Sequence, residues 1–213
     1  FITLVLLLLL AIAPVPSAAQ DKGGAATSPL SGKSDQPIDV SADESLEWDQ
    51  NSRTYTARGN AKATRGDFTI FADLLTAFDR DRADTKGTEV WKLEADGNVK
   101  LTNGPPGKGA EVFGDKGAYD IDRQVAVLTG QSLRLISGAD TVTAEERFEY
   151  WSAKRLAVAK GEATVTRNDR KIIADEVTTL FVEDAAGQLQ AERSEAHGNV
   201  RIFTATDTAK GNH

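Results

Sequence analysis

The chain of 213 residues has no cysteine, no methionine and only two histidines, His197 and His213. Without cysteine it can form neither a thiol nucleophile nor a zinc–thiolate centre. His197 directly precedes a glycine and His213 is the last residue, and a lone histidine at a turn is more often solvated than catalytic. The sequence therefore predicts a protein that is not an enzyme and that needs no metal and no cofactor.

Basic residues are in the minority as well. The 25 Lys and Arg stand against 32 Asp and Glu, which gives a formal net charge of −7. A nucleic-acid-binding domain needs clustered Lys and Arg to neutralise phosphates, so nucleic acid is not expected as a partner. The acidic balance fits a solvated outer surface.

The first thirteen residues are almost purely apolar, and they are followed by Pro14, Pro16 and Ser17-Ala18-Ala19. An apolar run that ends in small residues is typical of a secretory signal peptide, here 1–19, truncated at its start and cleaved after Ala19. The alternative is a membrane anchor, but the run is shorter than the roughly 20 residues that span a bilayer. An exported protein without cysteine needs no disulfide for its stability.

The segment 20–36 is rich in small and polar residues and has no periodicity, which predicts a disordered leader. We expect a single ordered domain over 37–213. Its last residues resemble the beginning of another repeat, so we expect this domain to be cut at its C-terminal end.

A small residue followed by an acid recurs five times, with spacings of 30, 42, 30 and 30 residues. Such a period predicts stacked units that share one continuous core. The pairs are Ala42-Asp43, Ala72-Asp73, Gly114-Asp115, Ala144-Glu145 and Ala174-Asp175. A row of carboxylates also suggests a calcium ladder, but each unit supplies one acid where calcium needs several oxygens in one loop. Exposed acids beside the strand are the simpler interpretation.

Each pair is followed by a glycine, at 59, 97, 130, 161 and 198, that begins a second strand. These glycines precede no helix and are not phosphate loops. They predict positions of positive φ or bulges.

Between these positions apolar and polar residues alternate, for example at Phe68-Ile70-Ala72 and Leu133-Leu135. Strict alternation predicts strands with one buried and one wet face, and no amphipathic helix of three turns is present. The distances from each small residue to the next glycine are 17, 25, 16, 17 and 24, which is too irregular for the coils of a parallel β-helix. The sequence therefore favours an all-β fold, an open-ended antiparallel β-jelly roll built as a twisted two-sheet stack of repeated hairpins.

The predicted inner face mixes large side chains such as Trp48 and Tyr150 with small ones such as Ala57 and Ala163. Large beside small is compatible with ordinary close packing. It is equally compatible with a slot between two sheets that do not fully close.

The sequence resembles the LptA/OstA-like family of periplasmic lipopolysaccharide-transport proteins of Gram-negative bacteria, over 37–204. The resemblance lies in Pro37-Ile38-Asp39-Val40-Ser41-Ala42-Asp43, Leu46, Tyr55-Thr56-Ala57-Arg58-Gly59-Asn60-Ala61-Lys62-Ala63-Thr64, Ile70-Phe71-Ala72-Asp73 and Val127-Leu128-Thr129-Gly130. It implies a periplasmic carrier that shields the acyl chains of lipid A in an apolar groove. It also implies partners of the same fold at the inner and outer membranes, and head-to-tail self-association.

By alternation and by this resemblance, ten apolar residues are the expected lipid contacts. They are Ile38, Val40, Leu46, Trp48, Leu101, Leu133, Leu135, Phe148, Tyr150 and Val158. Ile38 and Val40 would line the entrance, where the first strand is guarded only by Pro37 and Asp39 and has a free edge for a partner strand.

Other functions remain open at this point. The same fold forms the periplasmic domain of the outer-membrane lipopolysaccharide translocon. An envelope scaffold with a filled interior would bind no lipid. A polysaccharide-binding or polysaccharide-lyase β-helix would need outward aromatic platforms or a catalytic cluster, and the three Trp are scattered at 48, 91 and 151.

Overall fold

The computed structural model describes residues 38–65, 68–83, 87–103, 109–183, 189–204 and 208–211. The predicted signal peptide and leader lie outside these residues. Fifteen strands and one short 3₁₀ turn, Ser152–Lys154, make up the regular structure of the described part. The strands are β1 (Asp39–Ser41), β2 (Ser45–Asp49), β3 (Thr54–Arg65), β4 (Phe68–Asp81), β5 (Thr88–Asn103), β6 (Ala110–Asp120), β7 (Val125–Thr129), β8 (Leu133–Ser137), β9 (Asp140–Ala144), β10 (Arg147–Trp151), β11 (Leu156–Arg167), β12 (Arg170–Glu183), β13 (Leu189–His197), β14 (Val200–Phe203) and β15 (Thr208–Gly211).

Neighbouring strands pair antiparallel throughout the described part, and most follow one another directly along the chain. Short links between successive strands allow only this arrangement. The predicted all-β, open-ended antiparallel β-jelly roll is therefore confirmed, and the parallel β-helix is wrong.

The strands form two layers that share long strands. Six strands, β3, β4, β5, β6, β11 and β12, run through both layers and change layer at a corner near their middle, where the pairing register shifts. The first layer also contains β1, β8, β9, β14 and β15, and the second contains β2, β7, β10 and β13. The layers therefore join along one side, the corner, and the opposite side of the stack is the mouth.

Glycine followed by a polar residue makes the corner. Gly59-Asn60, Gly97-Asn98, Gly161-Glu162 and Gly198-Asn199 all have positive φ, between 43° and 86°. Two successive left-handed residues turn the strand sharply, and glycine adopts this conformation without steric cost. The predicted positive φ of the recurring glycines is confirmed, because Gly130 has it as well.

The recurring acids lie exposed at the same corner, one rung away from each glycine. Asn60 Nδ2 donates to Asp43 Oδ2 at 2.9 Å, and Asn98 Nδ2 donates to Asp73 Oδ2 at the same distance. Asp175 accepts in the same way from Asn199. These three acids therefore hold the bends of the neighbouring rungs. In the residues that the structure covers, no cluster of acids and histidines could bind a metal ion.

Small side chains fill the space where the layers meet. Along the corner, one residue from each rung of the first layer points inward, and most of these are nearly inaccessible: Ala61, Ala72, Val99, Leu133, Ala144, Ala163 and Ala174. From the second layer, buried Ala95, Leu128, Ala159 and Val177 pack against them. The hydrophobic core therefore runs as a narrow line along the corner.

No helix in the described part of the chain has the length and apolar character of a membrane span.

Candidate functional site

The first layer carries one continuous row of apolar side chains on its inner face, which we call the inner ladder. Its ten members are cross-strand partners from one end of the stack towards the other. They are Val40, Ala63, Ile70, Leu101, Val112, Leu135, Val142, Val165, Ile172 and Ile202. β-branched and leucine side chains in register suit strands, and they give this wall a uniform apolar surface.

The second layer faces the inner ladder with two rows. The row nearer the corner runs through Leu46, Ala57, Leu75, Ala95, Gly117, Leu128, Phe148, Ala159, Val177 and Ala196. The row nearer the mouth, which we call the aromatic row, runs through Trp48, Tyr55, Ala77, Leu93, Tyr119, Ala126, Tyr150, Ala157, Thr179 and Ser194. Tyr119 and Tyr150 each lie next to an alanine of the following strand, Ala126 and Ala157, whereas Trp48 lies next to Tyr55.

Most of the large side chains of these rows are not fully buried, the exceptions being Val165, Leu128 and Val177. Leu101, Leu135, Phe148 and Tyr150 keep part of their surface accessible, whereas the small residues of the corner are closed off. A sandwich with two packed faces would bury large apolar side chains at the centre of its sheets. The two layers therefore enclose an apolar groove beside a thin core.

The groove is open at the end formed by β1 and β2. Ile38 and Val40 are each 47% exposed, Leu46 is 62% exposed and Trp48 is 57% exposed. Trp48 stacks on Tyr55 with ring centroids 5.9 Å apart. These four residues were predicted from the sequence, and their inner-facing side chains lie at the terminal rung of the described strands, which leave them uncovered.

Charged and hydroxyl groups border the groove at its mouth. Asp140, only 1% exposed, accepts two hydrogen bonds from the guanidinium of Arg167, and this pairing raises the pKa of Arg167 above its usual range. On the second layer, burial raises the pKa of the Tyr119 phenol. The groove is thus apolar at the corner and polar at the mouth.

Five of the other six predicted contacts lie on the inner side of the layers, in three places. Leu101 and Leu135 belong to the inner ladder, and Phe148 and Tyr150 belong to the second layer's inner rows. Leu133 lies in the core at the corner and is 1% exposed. Sequence reasoning missed Ile70, Val112 and Tyr119, although the alternation at Ile70 and Val112 could have found them.

The prediction for Val158 is wrong. Val158 pairs with Glu149 on one side and with Thr178 on the other, which puts it on the outer face. The inner positions of this strand are Ala157 and Ala159, which lie opposite Tyr150 and Phe148. The prediction took the larger aliphatic residue as the inner one, but alanine is needed here because the facing rings fill the space.

Comparison with known proteins gives a match to a protein family and a match among solved structures. The model of one protein family, described as "LptA/(LptD N-terminal domain) LPS transport protein", matches residues 39–147. Among solved structures, LptH, "the LptA homologous periplasmic component of the conserved lipopolysaccharide transport device from Pseudomonas aeruginosa", is 21% identical, with a TM-score of 0.48. That match covers 59% of this chain and 83% of LptH. No curated protein sequence matches this chain significantly.

The family match begins at β1 and ends where β10 begins, so it takes in more than half of the repeats. The strands that follow continue the same stack with the same corner chemistry, as Gly161, Asp175 and Gly198 demonstrate. The chain belongs to the LptA/LptD N-terminal domain family of lipopolysaccharide transport proteins.

Proposed function

We propose that this protein is a periplasmic carrier that holds the acyl chains of lipopolysaccharide between its two layers and forms part of a bridge between the inner and outer membranes. The observation that carries the proposal is the inner ladder, a row of apolar side chains in register whose large members, apart from Val165, stay partly accessible. A surface of this kind suits a ligand that is long, apolar and variable in position.

The energy of lipid transfer explains why such a groove is needed. Each methylene brought into water costs about 0.8 kcal/mol, so an acyl chain of about a dozen carbons costs on the order of 10 kcal/mol. A groove lined by aliphatic and aromatic side chains removes most of this cost. Because the rows repeat the same chemistry from rung to rung, no single position holds the chain much more tightly than the next.

The open end supports assembly with a partner of the same fold. β1 and β2 each have one edge without a neighbouring strand in the described part, and apolar side chains surround these edges. An edge of this kind pairs readily with an exposed strand of another molecule. Partners at the inner and outer membranes, and a second copy of this chain, would extend the groove by such pairing.

A second candidate comes from the description of the matching family, which covers both LptA and the N-terminal domain of LptD. The chain would then be the periplasmic domain of the outer-membrane translocon. Both candidates use the groove in the same way. An envelope scaffold without lipid would need a filled interior, which the partly accessible rows argue against.

Photo-crosslinking to lipopolysaccharide tests the groove directly. A photoreactive residue replaces Leu135 on the inner ladder or Tyr150 in the aromatic row. Arg134 and Glu149, each one residue away and facing outward, are the matched controls, since Arg134 stacks on the outer face of Phe113 at 4.9 Å. Adducts at Leu135 and Tyr150 alone would support the proposal. Adducts at none of the four positions in a folded protein would refute it.

A further inference from the structure

Two polar atoms are buried at the mouth of the groove without a hydrogen-bond partner in the described residues: Arg65 Nε and Tyr119 Oη. Arg65 ends β3 on the inner face of the first layer, two positions beyond Ala63 of the inner ladder. Tyr119 belongs to the aromatic row of the second layer. Buried donors are nearly always paired in folded proteins, so these two need an explanation.

Both side chains lie at inner-facing positions, Arg65 on the first layer and Tyr119 on the second. Burial raises the pKa of the Tyr119 phenol, and the positive charge of Arg65 partly opposes that rise, so the guanidinium lies within electrostatic reach of the phenol. The hydroxyl of Ser152 lies near Tyr119 and lowers the pKa of its phenol. It donates its proton to the carbonyl of Gln124 at 3.0 Å, so towards Tyr119 it can only accept a hydrogen bond. Asp120 follows Tyr119 on the opposite face, where it accepts the backbone N–H of Arg123 at 2.9 Å.

Arg167 provides the contrast. It lies at the end of β11 on the inner face of the same layer, and Asp140 satisfies its guanidinium through two hydrogen bonds. No ion pair to Arg65 is formed by the residues that the structure describes. The first layer thus carries one arginine with a built-in carboxylate and one with a donor that still lacks an acceptor.

The chemistry of an acceptor for Arg65 and Tyr119 is well defined. A guanidinium presents N–H donors in a fork that matches the oxygens of a phosphate, and a phenol adds a further donor. Arg65 is about 7 Å along the strand from the inner ladder, because two residues of a strand span that distance. A ligand in which a phosphate lies within a few ångströms of an apolar chain can therefore contact Arg65 and Tyr119 with its phosphate and the inner ladder with its chain.

We infer that Arg65 and Tyr119 form a subsite for the phosphate group of a lipid whose acyl chains occupy the groove. The inference rests on the proposed function and adds a fixed polar anchor to it. Since both atoms are screened from bulk water, the phosphate reaches them by entering between the layers together with its acyl chains.

Equilibrium binding of purified lipid A by the full chain tests the subsite, with lipid A that carries its phosphates, the same lipid after phosphatase treatment, and inorganic phosphate as probes. The variants are Arg65→Gln, Arg65→Lys and Tyr119→Phe. The matched control is Arg58→Gln, which changes an exposed arginine on the outer face of the same strand. Thermal unfolding of each variant verifies that it is folded.

Arg65→Gln is expected to weaken binding of phosphorylated lipid A about tenfold or more, the usual worth of a hydrogen bond to a charged group, and to leave the dephosphorylated lipid unaffected. Arg65→Lys keeps the positive charge but loses the forked pair of donors, so its affinity for phosphorylated lipid A should lie between those of the unmodified protein and Arg65→Gln. Arg58→Gln should change the affinity for neither lipid. Tyr119→Phe, which removes only the hydroxyl, should weaken binding of the phosphorylated lipid and leave binding of the dephosphorylated lipid unchanged.

Three results would overturn the subsite. An equal loss of affinity for both lipids in Arg65→Gln would mean that Arg65 supports the fold of the mouth. Competition by inorganic phosphate that depends on Arg65 would mean a site for the free anion. Equal affinity of the unmodified protein for both lipids would remove the subsite and leave the lipid groove standing, whereas binding of neither lipid would remove the proposed function as well.

Discussion

The corner of the stack depends on residues that act in pairs across neighbouring rungs. A glycine allows the left-handed bend, and an acid from the adjacent rung occupies the space that a side chain at the glycine would need. At Gly161 a Cβ would lie 2.6 Å from the backbone nitrogen of Glu146, and Glu145 N–H donates to the Gly161 carbonyl at 2.7 Å. Glycine is therefore required at this position for two reasons, its φ of +86° and the close approach of the next strand.

Gly161→Ala is expected to lower the free energy of unfolding by roughly 2–5 kcal/mol, since a left-handed alanine and an overpacked contact add their costs. Gly138→Ala is the matched control, because Gly138 also has a positive φ, +57°, but nothing lies within 4 Å of an added Cβ. This control should lose only about 1–2 kcal/mol. Chemical denaturation measures both values, and equal losses would disprove the contribution of the close contact.

For single residues, the sequence predicts the backbone conformation or the exposure, but it does not predict which residue each one contacts. The positive φ of the glycines and the exposure of the acids follow from local rules. That Asp73 accepts from Asn98 does not, because the two are 25 positions apart and meet only once the rungs are stacked. Arg65 and Tyr119 were missed for the same reason: their relation exists only across the two layers.

Each strand has an apolar inner face and a chemically distinct outer face. On the outer face of the first layer, Lys62 lies over the ring of Phe71 at 5.9 Å, and Lys100 and Arg134 flank the ring of Phe113 at 5.4 and 4.9 Å. These cation–π contacts connect successive strands on the wet side. The alternation predicts both faces correctly within a half-strand, but the corner shifts its phase in β4, β6 and β12. Leu75 rather than Leu74 is therefore the inner residue after the bend of β4.

The register of β11 and β12 can be tested without any lipid. Val177→Thr introduces a hydroxyl into the core at a position that is 8% exposed, and it should cost about 1–3 kcal/mol of unfolding free energy. Val158→Thr makes the same change on the outer face, one cross-strand row away, and should cost about 0.5 kcal/mol or less. Denaturant titration measures the loss of unfolding free energy in each variant. A larger loss for Val158→Thr than for Val177→Thr would mean that Val158 lies on the inner face.

The whole molecule is a stack with two unlike ends. The β1–β2 end exposes Ile38, Val40, Leu46 and Trp48 around two free strand edges. Towards the other end, the aromatic row finishes in Thr179 and Ser194, whose hydroxyls hydrogen-bond to each other at 3.0 Å. Among the described strands, β13 pairs with β12 alone. The head-to-tail assembly proposed above would pair the free edge of the apolar β1–β2 end with the second edge of the next copy, and it would use both edges, which a symmetric contact between two copies does not.

The double variant Val40→Asp, Leu46→Asp is therefore expected to abolish the proposed self-association while leaving the fold intact, since the two residues are already 47% and 62% exposed in the single molecule and contribute little to its core. Two carboxylates at the joint would have to be buried unpaired in any head-to-tail dimer, which costs far more than the contact supplies. Val182→Asp is the control, because Val182 is 38% exposed and faces outward on β12, away from the open end. Sedimentation velocity over a range of concentrations should detect assemblies larger than a monomer for the unmodified protein and for Val182→Asp, and monomers alone for the double variant. Persistent assembly of the double variant would mean that the joint lies elsewhere, and the open end would then be only the entrance of the groove.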